Sequence, residues 1–485
     1  MEKKRVISIL LAFVAFLIII LLPNPDSLPI AGQRALAILA LAVILWVTEA
    51  VSFPVSAAII VGLITISIGL APTIDNPSTL YTSQGALKLA LGGFSSSAVG
   101  LVGGALFIAA AMEITGLHKR VALFIMSKVG TKTNSLIIGT ILVSIVLALF
   151  VPSATARAGT TVPILMGMIA AFGLQKNSRF AALLMITAVQ AISIWNIGIK
   201  TSAAQNMVAL GFMEKAFGSN ITWGNWFIYA APWSLLMSIV LFFVMIRLIK
   251  PEVSELPGGK EVIVSKLAEL GKLTSKELKL IIISVLLLFF WSTEGILHPF
   301  DSTTVTLIAV AIMLLPGIGI YTWKEVESKI PWGTLVVFAI GISLGTVLLD
   351  TQGAQWLSSV TLEALGLTSM PLVYVIMILS LFNILIHLGF ASATSLSSAF
   401  IPIVIALVTA MGPTSFNGPG LVLIQQFVIS FGFLLPVSAP QNMLAYGTGT
   451  FTSKDLLKSG LPITIIGYIL IIIFSLTYWK WVGLL

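Results

Sequence analysis

The chain of 485 residues has no cysteine, only three histidines and only 9% charged side chains. Without cysteine there is no disulfide, no thiolate metal site and no cysteine nucleophile. A soluble domain carries about 25% charged residues, so this chain cannot clothe itself in an ordinary hydrated surface. Neither an HExxH zinc motif nor a Gly-x-Ser-x-Gly elbow beside a partner base occurs, which argues against an intramembrane enzyme. What is present is 58% hydrophobic residues and a mean hydropathy of +1.08. Many apolar runs reach the roughly 18 residues that cross a bilayer as a helix, and they lack the alternation of barrel strands. The expected class is an all-α polytopic membrane protein. Its net charge of +8 fits the cytoplasmic bias of Lys and Arg in such proteins, and no nucleic-acid partner is implied.

Apolar runs and their polar breaks place spans near residues 6–22, 32–50, 53–70, 94–115, 178–213, 226–249, 278–298, 303–320, 332–350, 421–449 and 461–484. The Pro-Asn-Pro-Asp after the first run offers no small-residue cleavage site, so that run reads as a retained span. Two further segments, 133–172 and 371–411, are interrupted in the middle by Ser-Ala-Thr. If both turn back as re-entrant hairpins and the N-terminus is cytoplasmic, 20 Lys and Arg fall inside and four outside (Arg34, Lys88, Lys215, Lys480), with Arg157 and Lys200 left in the membrane. That distribution satisfies the positive-inside rule. It gives eleven spans in a cell membrane, the N-terminus cytoplasmic and the C-terminus extracellular.

A repeat then emerges. WVTEAVSFP (46–54) echoes WSTEGILHP (291–299), VPSATARAGTTVPI (151–164) echoes FASATSLSSAFIPI (390–403), and KTSAAQNMVALG (200–211) echoes PVSAPQNMLAYG (436–447). The order is the same and the offset nearly constant. The expected organisation is a first span (1–31), repeat 1 (32–249), a cytoplasmic linker with a short amphipathic helix (250–277) and repeat 2 (278–485). An odd number of spans separates the repeats, so they are inverted, and paired interrupted segments in inverted repeats are the mark of secondary transporters that bind substrate near the midplane.

Each hairpin tip starts a helix whose first N–H groups lack partners and attract anions. Ser153 to Thr155 and Ser392 to Thr394 can cap that helix or donate to a carboxylate; close helix packing is the plainer use of such residues. The second pair of elements, around Ser202 and around Ser438 with Pro440, reads as unwound stretches lining a polar cavity. Arg157, Lys200 and His387 lie beside these elements, and each is costly in mid-membrane unless paired; an anionic substrate would pair them. Glu49 and Glu294 stand in equivalent places near span ends, as for a repeated structural or gating hydrogen bond. His118, between Leu117 and Lys119, reads as a solvated cytoplasmic residue.

With these motifs the chain resembles the divalent anion/sodium symporter family, over nearly its whole length. The family's hairpin motif, Ser-Asn-Thr, is matched by Ser153-Ala154-Thr155 and Ser392-Ala393-Thr394; its Thr-Pro-Pro-like breaks are matched by Ser202-Ala203-Ala204 and Ser438-Ala439-Pro440. The resemblance implies a homodimer that moves a transport domain like an elevator. It implies substrate contacts from Ser153, Ala154, Thr155, Ser202, Ser392, Ala393, Thr394, Ser438 and Ala439. Sodium-coupled members use the motif asparagines in building sodium sites, and here alanines replace both. The leading expectation is exchange of di- or tricarboxylates such as 2-oxoglutarate, malate, succinate or citrate, without sodium or any other cofactor, Arg157, Lys200 and His387 standing in for the ions. Sodium-coupled symport is the alternative, and an anion channel a third reading.

Overall fold

The computed structural model describes residues 2–218, 221–255, 259–411 and 417–485. Backbone polar groups in lipid must be satisfied within their own segment, and the described residues are helical, with isolated bridges but no strand. The first half comprises α1 (Glu2–Leu21), α2 (Ile30–Thr48), α3 (Phe53–Leu63), α4 (Ser83–Leu91), α5 (Ser97–Thr115), α6 (Leu117–Val129), α7 (Thr133–Phe150), α8 (Ala154–Ala171), α9 (Arg179–Gly198), α10 (Ala204–Phe217) and α11 (Trp223–Leu248). After α12 (Gly259–Glu269) follow α13 (Ser275–Ser292), α14 (Ser302–Leu314), α15 (Trp323–Val326), α16 (Trp332–Asp350), α17 (Gly353–Ser358), α18 (Leu372–His387), α19 (Ala393–Ala410), α20 (Gly418–Ile429), α21 (Pro440–Tyr446), α22 (Ser453–Leu476) and the short α23 (Tyr478–Trp481).

The series α2 to α11 and α13 to α22 run in parallel, down to their irregularities. The turn after α5 passes through Gly116 at φ 73° and the turn after α16 through Gln352 at φ 59°. Prolines interrupt α8 and α19 (Pro163, Pro402) and again α11 and α22 (Pro232, Pro462).

Nine helices among the described residues are long and apolar enough to cross a bilayer. They are not the eleven expected spans. The nine include the hairpin arms Thr133–Phe150 and Ala393–Ala410, whereas Ser302–Leu314 and Gly418–Ile429 fall short of the required length. Two expected spans, 178–213 and 421–449, are each two helices, α9 with α10 and α20 with α21. The expected span 303–320 stops at Leu314, before Pro316 and the left-handed Gly317. The amphipathic α4 was not expected.

The core is built around α9, in which every residue from Phe180 to Gly198 is buried. Close approaches lock the interrupted segments in place. A Cβ on Gly460 of α22 would lie 2.1 Å from the carbonyl oxygen of Phe433, so only glycine lets α22 lie against the stretch between α20 and α21.

The linker holds both ends of the α7–α8 hairpin. Thr133 donates its N–H to Ser254 O (3.0 Å) and its hydroxyl to Val253 O (2.7 Å). Glu252 accepts from the N–H groups of Arg179 (2.7 Å) and Phe180 (3.0 Å), just past the hairpin's second arm. Burial pushes the Glu252 carboxyl up, but these N–H bonds, its own N–H and the Arg179 charge prevail and hold it below the usual carboxylate range. The contribution is therefore present at neutral pH and fades as pH falls through that lowered value. In the second hairpin, Gly412 lies outside the described residues. Because the start of α7 and the start of α9 meet one short segment, cysteines introduced as Lys132→Cys and Gln175→Cys are expected to react with an impermeant maleimide from the same side of the membrane. Labelling from opposite sides would refute a hairpin.

Candidate functional site

The two Ser-Ala-Thr segments adopt the same conformation. Ser153 (φ −140°, ψ 116°) and Ser392 (φ −134°, ψ 116°) are the N-caps of α8 and α19, accepting from Ala156 N–H (3.2 Å) and Ser395 N–H (3.3 Å). Serine suits this place because its oxygen satisfies one of the orphan N–H groups. Its proton stays available for another acceptor.

The two breaks are equally alike. Each is a single 3₁₀ turn, Lys200–Ser202 or Pro436–Ser438, followed by an extended alanine, Ala203 (φ −149°, ψ 140°) or Ala439 (φ −156°, ψ 139°), from which α10 or α21 departs with no side-chain cap. Asn206 donates to the carbonyls of Asn196 (2.8 Å), Ile199 (3.3 Å) and Lys200 (3.3 Å). Asn442 does the same for Gly432 (2.7 Å) and Leu435 (3.2 Å). One carboxamide thus replaces the helical donors that each break removes.

Tips and breaks meet around one cavity of about 760 Å³. Ser153, Ala154 and Thr155, Ser392, Ala393 and Thr394, Ala203 to Gln205, and Ala439 to Gln441 all line it. The first turns of α8, α10 and α19 therefore point their free N–H groups and partial positive charge into the same space. Exposed Glu49 and Lys119 and the ion pair Glu113–Lys329 (2.6 Å) mark its mouth, and the buried His118 lines its wall.

Several expected site residues sit elsewhere. Ser202 is fully buried and its one hydroxyl proton goes to Ile199 O (2.7 Å), with the carbonyls of Trp195 (2.9 Å) and Asn196 (3.2 Å) also in reach, away from the cavity. Ser438 is likewise behind the wall, its hydroxyl unpartnered among the described residues. Arg157 is fully buried beneath the first tip, with Nη2 donating to Asn196 Oδ1 and to Ser202 O (3.0 Å), while Nε and Nη1 find no partner among the described residues. His387 lines the cavity, its Nε2 3.1 Å from Ser438 O. Arg157 and His387 therefore face the same carbonyl of the two equivalent breaks. Lys200 does not join them: its ammonium donates to Ile221 O (2.7 Å) and faces a second cavity of about 360 Å³ with Glu214, Glu294 and Asp301. Among the described residues, Leu101 and Met207 alone line both cavities.

The equivalence of Glu49 and Glu294 also breaks down. Glu294 is buried, accepting from the Ser302 hydroxyl and Trp223 N–H, whereas Glu49 is exposed at the mouth and makes no hydrogen bond among the described residues. His118 is not solvated: it is 7% exposed and its Nδ1 lies against Met112 O. Sequence reasoning missed a polar stripe on α9, Thr187, Gln190, Ser193 and Asn196, spaced by three in an otherwise apolar helix. Three of its members brace the site: Gln190 bonds Phe433 O (2.9 Å), Ser193 accepts from Gln441 (3.0 Å) and Asn196 takes Arg157. The helical spacing of those polar residues was the available signal.

Residues 3–485 match the family described as the sodium:sulfate symporter transmembrane region. Among similar proteins, a membrane protein of Cupriavidus necator is 49% identical, over 97% of this chain and 92% of its own. The sodium-dependent dicarboxylate transporter SdcS of Staphylococcus saprophyticus is 28% identical (97% and 90% covered), and the citrate/succinate antiporter of Escherichia coli 27% (99% and 98%). The YdaH transporter of Alcanivorax borkumensis, of unusual topology, shares the fold with a TM-score of 0.58 at 14% identity, covering 89% of this chain and 98% of that one.

The geometry assigns the two asparagines a structural duty. Asn206→Leu strands the Lys200 carbonyl and Asn442→Leu the Gly432 carbonyl, which costs about 1–3 kcal/mol each. Both variants are expected to melt below the parent protein in detergent, as read by a shift in Tm.

Proposed function

Because the chain belongs to the divalent anion/sodium symporter family, a family of membrane transporters and not of enzymes, we propose that it exchanges small di- and tricarboxylates across the cell membrane without sodium. The observation that carries the reading is the convergence of three helix N-termini and two capping serines on one cavity. Such a surface binds carboxylates by oriented N–H and O–H groups and needs no mobile counterion. The relatives named for dicarboxylate and for citrate and succinate transport support the substrate class. Their names do not choose between antiport and sodium symport.

Two fixed groups favour exchange. Arg157 already holds Asn196 Oδ1 and Ser202 O, and His387 holds Ser438 O, oxygens of the kind a sodium ion would need. A sodium ion leaves with each cycle, whereas a guanidinium stays. The empty carrier keeps a buried charge that crosses the membrane poorly, and a bound dicarboxylate offsets it. Lys200 faces the other cavity and takes no part in this balance.

In this reading the Ser-Ala-Thr hairpins are re-entrant and enter from opposite faces, the two repeats are inverted, and the N-terminus is cytoplasmic. The cavity mouth with Lys119 and Lys329 then opens to the cytoplasm. Alternating access proceeds by an elevator movement within a homodimer.

The test is uptake of labelled succinate by proteoliposomes loaded with succinate, citrate, malate, 2-oxoglutarate, sulfate or no anion, in sodium and in potassium buffers. Uptake is expected only into vesicles holding a carboxylate, at equal rates in both buffers. Strict sodium dependence would establish symport instead, and rapid uptake into anion-free vesicles would defeat obligatory exchange.

Two sets of variants extend the test. Arg157→Met is expected to abolish or strongly slow exchange. Ser153→Ala, Thr155→Ala, Ser392→Ala and Thr394→Ala each remove one charge-assisted hydrogen bond, and the half-saturating concentration should rise about tenfold or more. Unchanged affinity and turnover in all four would leave the tips with packing alone.

A further inference from the structure

The cavity wall holds a feature that anion attraction does not explain. Gln441, at the start of α21, lines the cavity while being 3% exposed, and its Nε2 donates to Ser193 Oγ at 3.0 Å. Ser193 has one hydroxyl proton, and it goes to Val189 O at 3.0 Å. Toward Gln441 the serine oxygen can therefore only accept. This decides which end of the carboxamide faces Ser193: the NH₂ group does, and Oε1 points the other way.

That Oε1 accepts no hydrogen bond among the described residues. Yet it is not sealed, in contrast to Oε1 of Gln190 and of Gln425, which are buried with no partner among the described residues. The opening it reaches is the cavity that Gln441 lines. Gln205 holds the equivalent place in the first half, with Nε2 donating to Ser430 Oγ (3.2 Å) and its Oε1 also left open. The two carboxamides cross between the halves, each bonded to a serine of the other.

An acceptor oxygen in an anion site repels carboxylate oxygens and calls for a donor on the ligand. Building on the dicarboxylate reading above, we propose that Gln441, seconded by Gln205, is a specificity residue that selects dicarboxylates bearing a hydroxyl between their carboxylates. The helix N-termini of the tips hold the carboxylates, and the carboxamide oxygen receives the hydroxyl proton. A ligand without the hydroxyl leaves that oxygen unpartnered, and a site built around a polar partner discriminates against the analogue that lacks it.

The experiment measures how well unlabelled malate and unlabelled succinate compete with labelled succinate in exchange by the reconstituted protein. The same pair is titrated by thermal shift on purified protein, which requires no turnover. The parent protein is expected to favour malate by about tenfold, the order of one neutral hydrogen bond. Gln441→Met should bring the ratio close to one. Ser193→Ala frees the carboxamide to turn its NH₂ group inward and should lower the ratio part of the way; this variant decides the matter if Gln441→Met does not fold. A ratio of one in the parent protein, or a ratio unaltered in a folded Gln441→Met and in Ser193→Ala, overturns the proposal. So does a succinate affinity that climbs to that of malate as pH falls toward the carboxylate range, since the donor would then be a protonated carboxyl. Binding of neither acid overturns the dicarboxylate reading and this inference with it, whereas binding of both without preference overturns this inference alone.

Discussion

A backbone carbonyl that loses its helical donor in an apolar interior must find another, and the architecture of this protein follows from how that demand is met at two points. At the end of α9 side chains replace lost donors. Ser234 serves Ile194, Trp226 serves Ile197, Ser202 serves Ile199, and Asn206 serves Asn196 and Lys200. The donors come from α10, α11 and the turn itself, so the break exists only because those elements are packed around it. At the end of α20 Asn442 plays the same part, and Gln190 of α9 supplies a donor to Phe433. Each half thereby depends on the other.

Breaking the helices creates the site. An uninterrupted span offers a ligand no free N–H, whereas a helix that begins inside the protein offers several. The four starts at Ala154, Ala204, Ala393 and Pro440 all fall on the wall of one cavity. The carbonyls on the far side of the breaks are then the electronegative counterpart, and Arg157 and His387 are directed at them. The backbone donors of the helix starts face the cavity and the backbone carbonyls of the breaks face away from it, which gives the region its polarity.

The halves are alike in backbone and unlike in chemistry. The first carries a guanidinium where the second carries an imidazole, and Glu294 is enclosed by Ser302 and Trp223 while Glu49 stands open at the cavity mouth. A chain folded twice in the same pattern need not have the same surroundings twice: Glu49 lines the large cavity and Glu294 the smaller one.

Much of this was legible in the linear chain. Apolar run lengths specify helices because lipid leaves the backbone no other partner, and Ser-Ala-Thr at both tips specifies an N-cap because a local hydroxyl can satisfy a local N–H. Both depend on contacts within a few residues. The matching order of elements in the two series could be read too, since like segments adopt like local structure. What only the tertiary structure decided is where side chains point once distant elements pack. Ser202 turns its hydroxyl into α9, Lys200 turns to the second cavity and His118 is drawn into the interior, although their neighbours in sequence suggested otherwise. The orientation of Gln441 rests on Ser193, 248 positions away. Short-range hydrogen bonding is written in adjacent residues; the allocation of buried donors among competing acceptors is settled only when all of them are brought together.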